Sequence, residues 1–349
     1  MTYCLGWKSQ NSVFIAADTA ITVGSNVPII TSLSSFGEVS YNEKNNYVFE
    51  ALLKICLVDK IIIAFAGNVD TALNIISVFK QFIPLKLRIC DGLEEAISSC
   101  GPYSNENNVA LIVGYYDKNG PKLISYNHDG NRNIHDHNQC VQIGSIETKY
   151  RTSSEIIINT FLRGNLADEH MLAGVTAVLQ SYGIFDHLMR ISIGGVFFGI
   201  SVDANGVSWQ RDTSYVLYTP DLKKVHFISI YSVDNALAVA SSYISPAHKV
   251  FMNTINTNDV PKWKDKWMPE LIKKLNSGKS IFYTFLSVKD RLITVTKKTY
   301  KSADKYFTMS AEHIDGKEKF TFIFSPEFIE ILKGPKSVEE EFRFNWLND

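Results

Sequence analysis

Long hydrophobic runs are missing from this chain. None of its apolar stretches approaches the roughly 20 residues that cross a bilayer, and no basic segment precedes an apolar one at the start. Neither a membrane partner nor a secretion leader is expected, and the expected compartment is the cytoplasm. Cysteine is scarce: Cys4, Cys56, Cys90, Cys100 and Cys140 make an odd number without zinc-like spacing. They are expected to be reduced thiols rather than a disulfide framework. A metal cluster is also lacking. His135-Asp136-His137 lies in a polar loop with no third ligand group nearby in sequence, so neither a metal nor a cofactor is expected. The net charge is only −1. The single basic and aromatic run, Lys262-Trp263-Lys264-Asp265-Lys266-Trp267, reads as an amphipathic helix with buried tryptophans in preference to a nucleic-acid patch.

What is present is a composition that folds. With 45% apolar and 20% charged residues the chain is globular rather than disordered. Its start is the most informative part. Thr2 follows Met1, which cytosolic aminopeptidases remove before a small residue. The mature chain would then begin with a threonine whose α-amine, with an ordinary pKa near ~8, can act as base for its own hydroxyl. Residues 3–8 and 12–17 read as two strands joined by Ser9-Gln10-Asn11, which ties Thr2 into a sheet. Asp18 ends the second strand. A further apolar hairpin runs over 54–58 and 61–67 around Asp59-Lys60, and its first residue is Lys54. A lysine at the head of a buried strand is costly unless paired, and Asp18 is the natural partner; the alternative is a Lys54 that snorkels to water. Pairing would lower the pKa of Asp18. Gly67 then joins strand to helix, with Val69, Leu73, Ile76 and Phe79 at helical spacing. A glycine there bares backbone N–H groups suited to an oxyanion.

The run Thr2, Ala16-Ala17-Asp18, Lys54-Ile55, Asp59-Lys60 and Ala66-Gly67 resembles the catalytic half of proteasome β-subunits, the N-terminal nucleophile hydrolases. The opening Met1-Thr2-Tyr3-Cys4, the Ala66-Gly67-Asn68 junction and Gln142-Ile143-Gly144 followed by Glu147-Thr148-Lys149-Tyr150 are similar to the bacterial Anbu branch. The resemblance covers about residues 1–210. It implies an α+β fold, a four-layer αββα sandwich. It also implies Thr2 as nucleophile, Asp18 and Lys54 as its acidic and basic partners, Gly67 as oxyanion donor and Ser145 near the terminal amine. Ser145 also reads as a helix N-cap before Ile146. Ile21, Leu52, Cys56, Phe65 and Val69 would line the P1 pocket and favour an uncharged residue.

The chain departs from the family in three places. Ser25–Leu53 is an insert between Asp and Lys, and it makes Lys44 a second lysine candidate. Arg190 stands where the family has an Asp, with Ser192 as the nearest serine able to support the amine. Residues 221–349 are a C-terminal extension. Residues 1–220 carry 15 basic and 20 acidic side chains against 20 and 16 in residues 221–349. That difference supports a boundary near Tyr218–Asp221, giving a hydrolase domain at 1–218 and an accessory α+β domain at 221–349 with some electrostatic contacts between them. In the extension, a strand is expected at 225–231, helices at 234–243 and 325–332, and an antiparallel sheet from 280–287, 291–297, 306–311 and 319–324. The expected activity is a threonine peptidase acting on a peptide or protein substrate as a homo-oligomer, with an unfoldase or activator as a possible partner. A small-amide hydrolase of the same fold and a catalytically silent subunit for assembly or sensing are the alternatives.

Overall fold

The computed structural model describes residues 2–23, 33–38, 46–85, 88–100, 108–127, 131–135, 140–219, 221, 224–233, 236–243, 248–252, 269–270, 273–274, 277, 279–297, 307–314, 317–326 and 341–345. In chain order come β1 (Tyr3–Lys8), β2 (Val13–Ala17), β3 (Ala20–Val23), β4 (Tyr47–Glu50), β5 (Ile55–Val58) and β6 (Ile61–Gly67). Helices α1 (Val69–Phe82) and α2 (Ile89–Ser99) follow, then β7 (Val109–Asp117), β8 (Gly120–Tyr126), β9 (Arg132–His135) and β10 (Cys140–Gly144). Next are α3 (Thr148–Arg163), α4 (Asp168–Asp186), β11 (Phe198–Asp203), β12 (Gly206–Trp209), β13 (Thr213–Tyr218), β14 (Val225–Val233), β15 (Ala236–Ser241) and β16 (His248–Met252). The last elements are β17 (Phe282–Ser287), β18 (Leu292–Lys297), β19 (Phe307–Ile314), β20 (Lys317–Phe324) and β21 (Glu341–Asn345).

Two five-stranded sheets, ordered β10-β1-β2-β11-β12 and β5-β6-β7-β8-β9, face one another. Side-chain alternation sorts each strand between two cores. On β6, Ile62, Ala64 and Ala66 face the first sheet, while Ile61, Ile63 and Phe65 join the core under α1 and α2. On β1, Tyr3 and Trp7 point to the other helices: the Tyr3 hydroxyl donates to Ser154 Oγ at 3.0 Å, and Trp7 Nε1 to Met171 Sδ at 3.1 Å. Cys4 turns the opposite way and donates to Phe65 O across the sheets at 3.2 Å. Gly6 allows this approach, since a Cβ there would lie 2.7 Å from Ile112 Cγ2.

A third sheet, β16-β15-β14-β13-β17-β18-β21, packs against the far side of α4. Tyr215, Leu217, Phe282, Leu286, Ile293 and Val295 from this sheet share one core with α4 and the first sheet. Helix α4 is accordingly buried along almost all its length, as expected of a helix apolar on every side. Salt bridges rim the contact. Lys297 Nζ reaches Glu169 at 2.7 Å and Arg291 reaches Asp186 at 3.1 Å, with the bases on the third sheet and the acids on α4.

Several sequence expectations change. The apolar run from Ile191 becomes a strand only at Phe198, because Ser192, Gly194 and Gly195 take positive φ and interrupt an extended chain. Residues 236–241 are a strand and not a helix. They lie between β14 and β16 with Leu237, Val239, Ala238 and Ala240 all buried, so burial on both faces overrides the helical propensity of alanine. β17 and β18 do not form a sheet with β19 and β20. β17 pairs in parallel with β13, and β19–β20 are a separate pair. β13, just before the expected boundary at Tyr218–Asp221, pairs with both β14 and β17 of the third sheet, and residues 210–212 link it to β12 of the first. The expected helices at 262–267 and 327–332 lie outside the described residues.

Candidate functional site

Thr2 is held by its neighbours on β1 and β10. The Tyr3–Gly144 pairing brings Ser145 alongside, and the Ser145 N–H donates to Thr2 O at 3.0 Å. Gly144 has φ +103°, and a Cβ there would sit 1.8 Å from Thr2 O. Only a glycine lets the two chains meet this closely. Thr2 itself is 5% exposed. Ser145 is exposed, and it does not cap α3: that helix starts at Thr148 after Glu147, correcting the N-cap expectation.

Asp18 is the centre of the polar network. Its carboxylate accepts from Lys54 Nζ at 2.7 Å, from the Tyr3 N–H at 3.3 Å and from the Gly194 N–H at 3.0 Å. Lys54 and Asp18 are 1% and 0% exposed, so Lys54 does not snorkel. One network therefore joins a buried ion pair to the amide next to Thr2. Burial pushes the Asp18 carboxyl above the ordinary carboxylate range; Lys54 and the two backbone donors pull it down but do not outweigh burial. The expected lowering by Lys54 is thus one of two opposed effects. The same burial, helped by the nearby Asp18 charge, pushes the Cys4 thiol far up, leaving an inert core cysteine.

Gly67 ends β6 in the open with φ +109°; a Cβ there would lie 1.9 Å from Asn108 O. Asn68 caps α1 by accepting from the Thr71 N–H at 3.0 Å, so the junction is a capped strand-to-helix turn. Ile21, Leu52, Cys56, Phe65 and Val69 gather in the α1 core. Cys56 and Phe65 are 1% exposed and offer no open wall, whereas Ile21 and Val69 are half-buried at its edge. Ser192 is buried in a left-handed conformation two residues before Gly194, and Arg190 is exposed. Lys44, Asp136 and His137 lie outside the described residues. His135 Nε2 meets Ser125 Oγ at 2.8 Å. Among the described residues no group of three or more His, Cys, Asp or Glu could hold a metal ion, and no helix is long and apolar enough to cross a membrane.

Sequence reasoning missed Gly194, the backbone donor to Asp18. The signal was the doublet Gly194-Gly195 inside an otherwise apolar run.

No protein-family model and no curated protein matches the chain. Among solved structures, an Anbu (Gly-1) mutant from Hyphomicrobium sp. strain MC1 is similar at 14% identity, over 78% of this chain and 99% of that one, with a TM-score of 0.42. That is a distant likeness of fold and carries no argument about activity.

Proposed function

We propose that the chain is an N-terminal threonine hydrolase of the proteasome-like kind, acting on peptide bonds. The order of α1 and α2, two facing sheets, then α3 and α4 is read as the αββα sandwich, with the third sheet as an added fifth layer. The observation that carries the proposal is the buried Asp18–Lys54 pair, bonded to the Tyr3 amide directly after Thr2. Once Met1 is removed, Thr2 Oγ attacks the carbonyl carbon and its proton passes to the α-amine. The Gly67 N–H receives the oxyanion, and the amine protonates the leaving nitrogen as the C–N bond breaks. Water then cleaves the ester and frees Thr2. Lys54 lends positive charge to the nucleophile, Asp18 holds Lys54, and Ser145 and Ser192 support the amine.

A small-amide substrate is the second reading. The burial of Cys56 and Phe65 favours it, since a closed wall suits a short acyl group. Intact mass and a threonine-directed electrophile test both readings. The mature protein is expected to lack Met1 and to gain one probe mass, and Thr2→Ala should lose the label with its melting temperature almost unchanged. Labelling that survives Thr2→Ala would end the proposal.

A further inference from the structure

Two buried acids outside the Asp18–Lys54 pair lie beneath the loop that holds Asp18. Glu38 and Glu50 are 6% and 7% exposed. Glu50, at the end of β4, accepts from the Ser35 N–H at 2.9 Å and from the Ser35 hydroxyl at 2.7 Å. Glu38 accepts from the Ser34 hydroxyl at 3.2 Å and faces the backbone amides of Gly195 and Met189. Its Oε1 has no hydrogen-bond partner among the described residues. Gly195 rests on Glu50 itself: a Cβ there would lie 2.5 Å from Glu50 Cγ and 3.0 Å from Glu50 Oε1. One residue earlier, the Gly194 N–H is the donor to Asp18 Oδ2. The other face of the loop is pinned by Gln180, whose Nε2 donates to Gly195 O at 2.8 Å.

The segment carrying Glu38 is a closed turn. The Ser34 N–H donates to Glu38 O at 3.0 Å, and the Glu38 N–H to Ser34 Oγ at 2.9 Å. Its back is fixed to the third sheet. Phe36 meets Tyr215 edge-on at 5.3 Å, Gly37 lies against the Tyr243 ring, and the Ser241 hydroxyl donates to Ser35 O. A continuous line of contacts thus runs from the third sheet, through residues 34–38 and Glu50, to Gly194–Gly195 and Asp18.

We infer that Glu38 and Glu50 are positioning residues: they wedge the Ser34–Glu38 turn, braced on the third sheet, under the Gly194–Gly195 loop and so fix the N–H that holds Asp18. The insert and the C-terminal sheet are then parts of the site's frame. Burial first, and the nearby Glu50 second, push the Glu38 carboxyl well up, which favours its neutral form. The groups around the two carboxyls are donors, backbone amides and serine hydroxyls, which suit acceptor oxygens rather than a bound cation. The consequence for labelling rests on the hydrolase reading; the consequence for loop order does not.

The test uses the full chain with two readouts, amide exchange over 192–197 and rate of labelling at Thr2. Glu50→Ala is expected to raise exchange about tenfold by opening the loop locally, and to slow labelling up to about 100-fold through a misplaced Asp18. Ser35→Ala, a milder change should Glu50→Ala fail to fold, moves both in the same direction. Glu38→Gln, which keeps the neutral form, holds both at wild-type values where Glu38→Ala does not. Unchanged exchange over 192–197 in a folded Glu50→Ala or Ser35→Ala protein overturns the proposal, as does a Glu38→Gln as damaging as Glu38→Ala. Exchange that rises in a protein whose wild type takes no label upholds the positioning role and removes the hydrolase reading instead.

Discussion

A fully buried charge is tolerated only where charge and donors compensate it, and Asp18 has both in Lys54, Tyr3 and Gly194. Lys54→Ala leaves that carboxylate unpaired and is expected to cost roughly 3–5 kcal/mol in urea unfolding. Asp18→Asn with Lys54→Met, which removes both charges, should recover most of that stability and none of the labelling. The direction of the Asp18 shift also gives two opposite pH dependences. Its folded pKa is raised, so its contribution to stability is full below the ordinary value near ~3.9 and is lost as pH rises toward the folded value. Labelling needs the ionised pair and so rises over the same window, with its acid limb above the ordinary aspartate range. Urea unfolding and probe labelling across that window check both signs, and Asp18→Asn should flatten the stability component.

Among elements, the close meeting of β1 and β10 decides where Thr2 lies. Gly144 and Gly120 have nearly the same φ, +103° and +99°, but a Cβ at Gly144 strikes Thr2 O while one at Gly120 meets nothing within 4 Å. Gly120→Ala should therefore cost only the left-handed backbone penalty, about 1–2 kcal/mol. Gly144→Ala should cost more and also displace Thr2. Equal losses in urea unfolding, with labelling intact in both, would mean that this contact does not set the nucleophile. Glycines mark such places in a sequence, but the sequence does not say which of them faces another chain and which faces solvent.

At the scale of the whole molecule, the third sheet is joined to the rest mainly by apolar contact along α4, not by charge. Each rim ion pair is partly exposed and contributes about 0.2–1 kcal/mol, so the unequal charge of the two parts has little leverage. High salt should leave the melting temperature of the full chain nearly unchanged. A 1–220 truncation strips the cover from α4 and leaves β13 without β14 and β17. It should aggregate or unfold rather than remain as a free domain, and sedimentation of both proteins at low and high salt checks this. The full chain is expected to self-associate; a strict monomer at micromolar concentration would favour the small-amide reading over an enclosed peptidase.

Much of the first seventy residues was legible because the information there is local. Continuous apolar runs mark β2, β5 and β6, a short polar turn ties β1 to β2, a two-residue turn joins β5 to β6, and a lysine opening a buried strand calls for an acid. The sequence by itself named Asp18 as the natural partner of a buried Lys54, since burying either charge alone is costly, with a snorkelling Lys54 as the alternative; burial of both side chains in the fold decided for the pair. Tertiary structure decided the remainder. Residues 236–241 became a strand because β14 and β16 pair with them on both edges and their two faces are buried in the third sheet, and β13 joins that sheet because β17, more than sixty residues later, pairs with it. The Gly194 donor and the Glu38–Glu50 wedge follow from where three separate segments meet. Local pattern reports which face of an element seeks burial; which partner supplies it depends on packing between segments that the linear pattern does not relate.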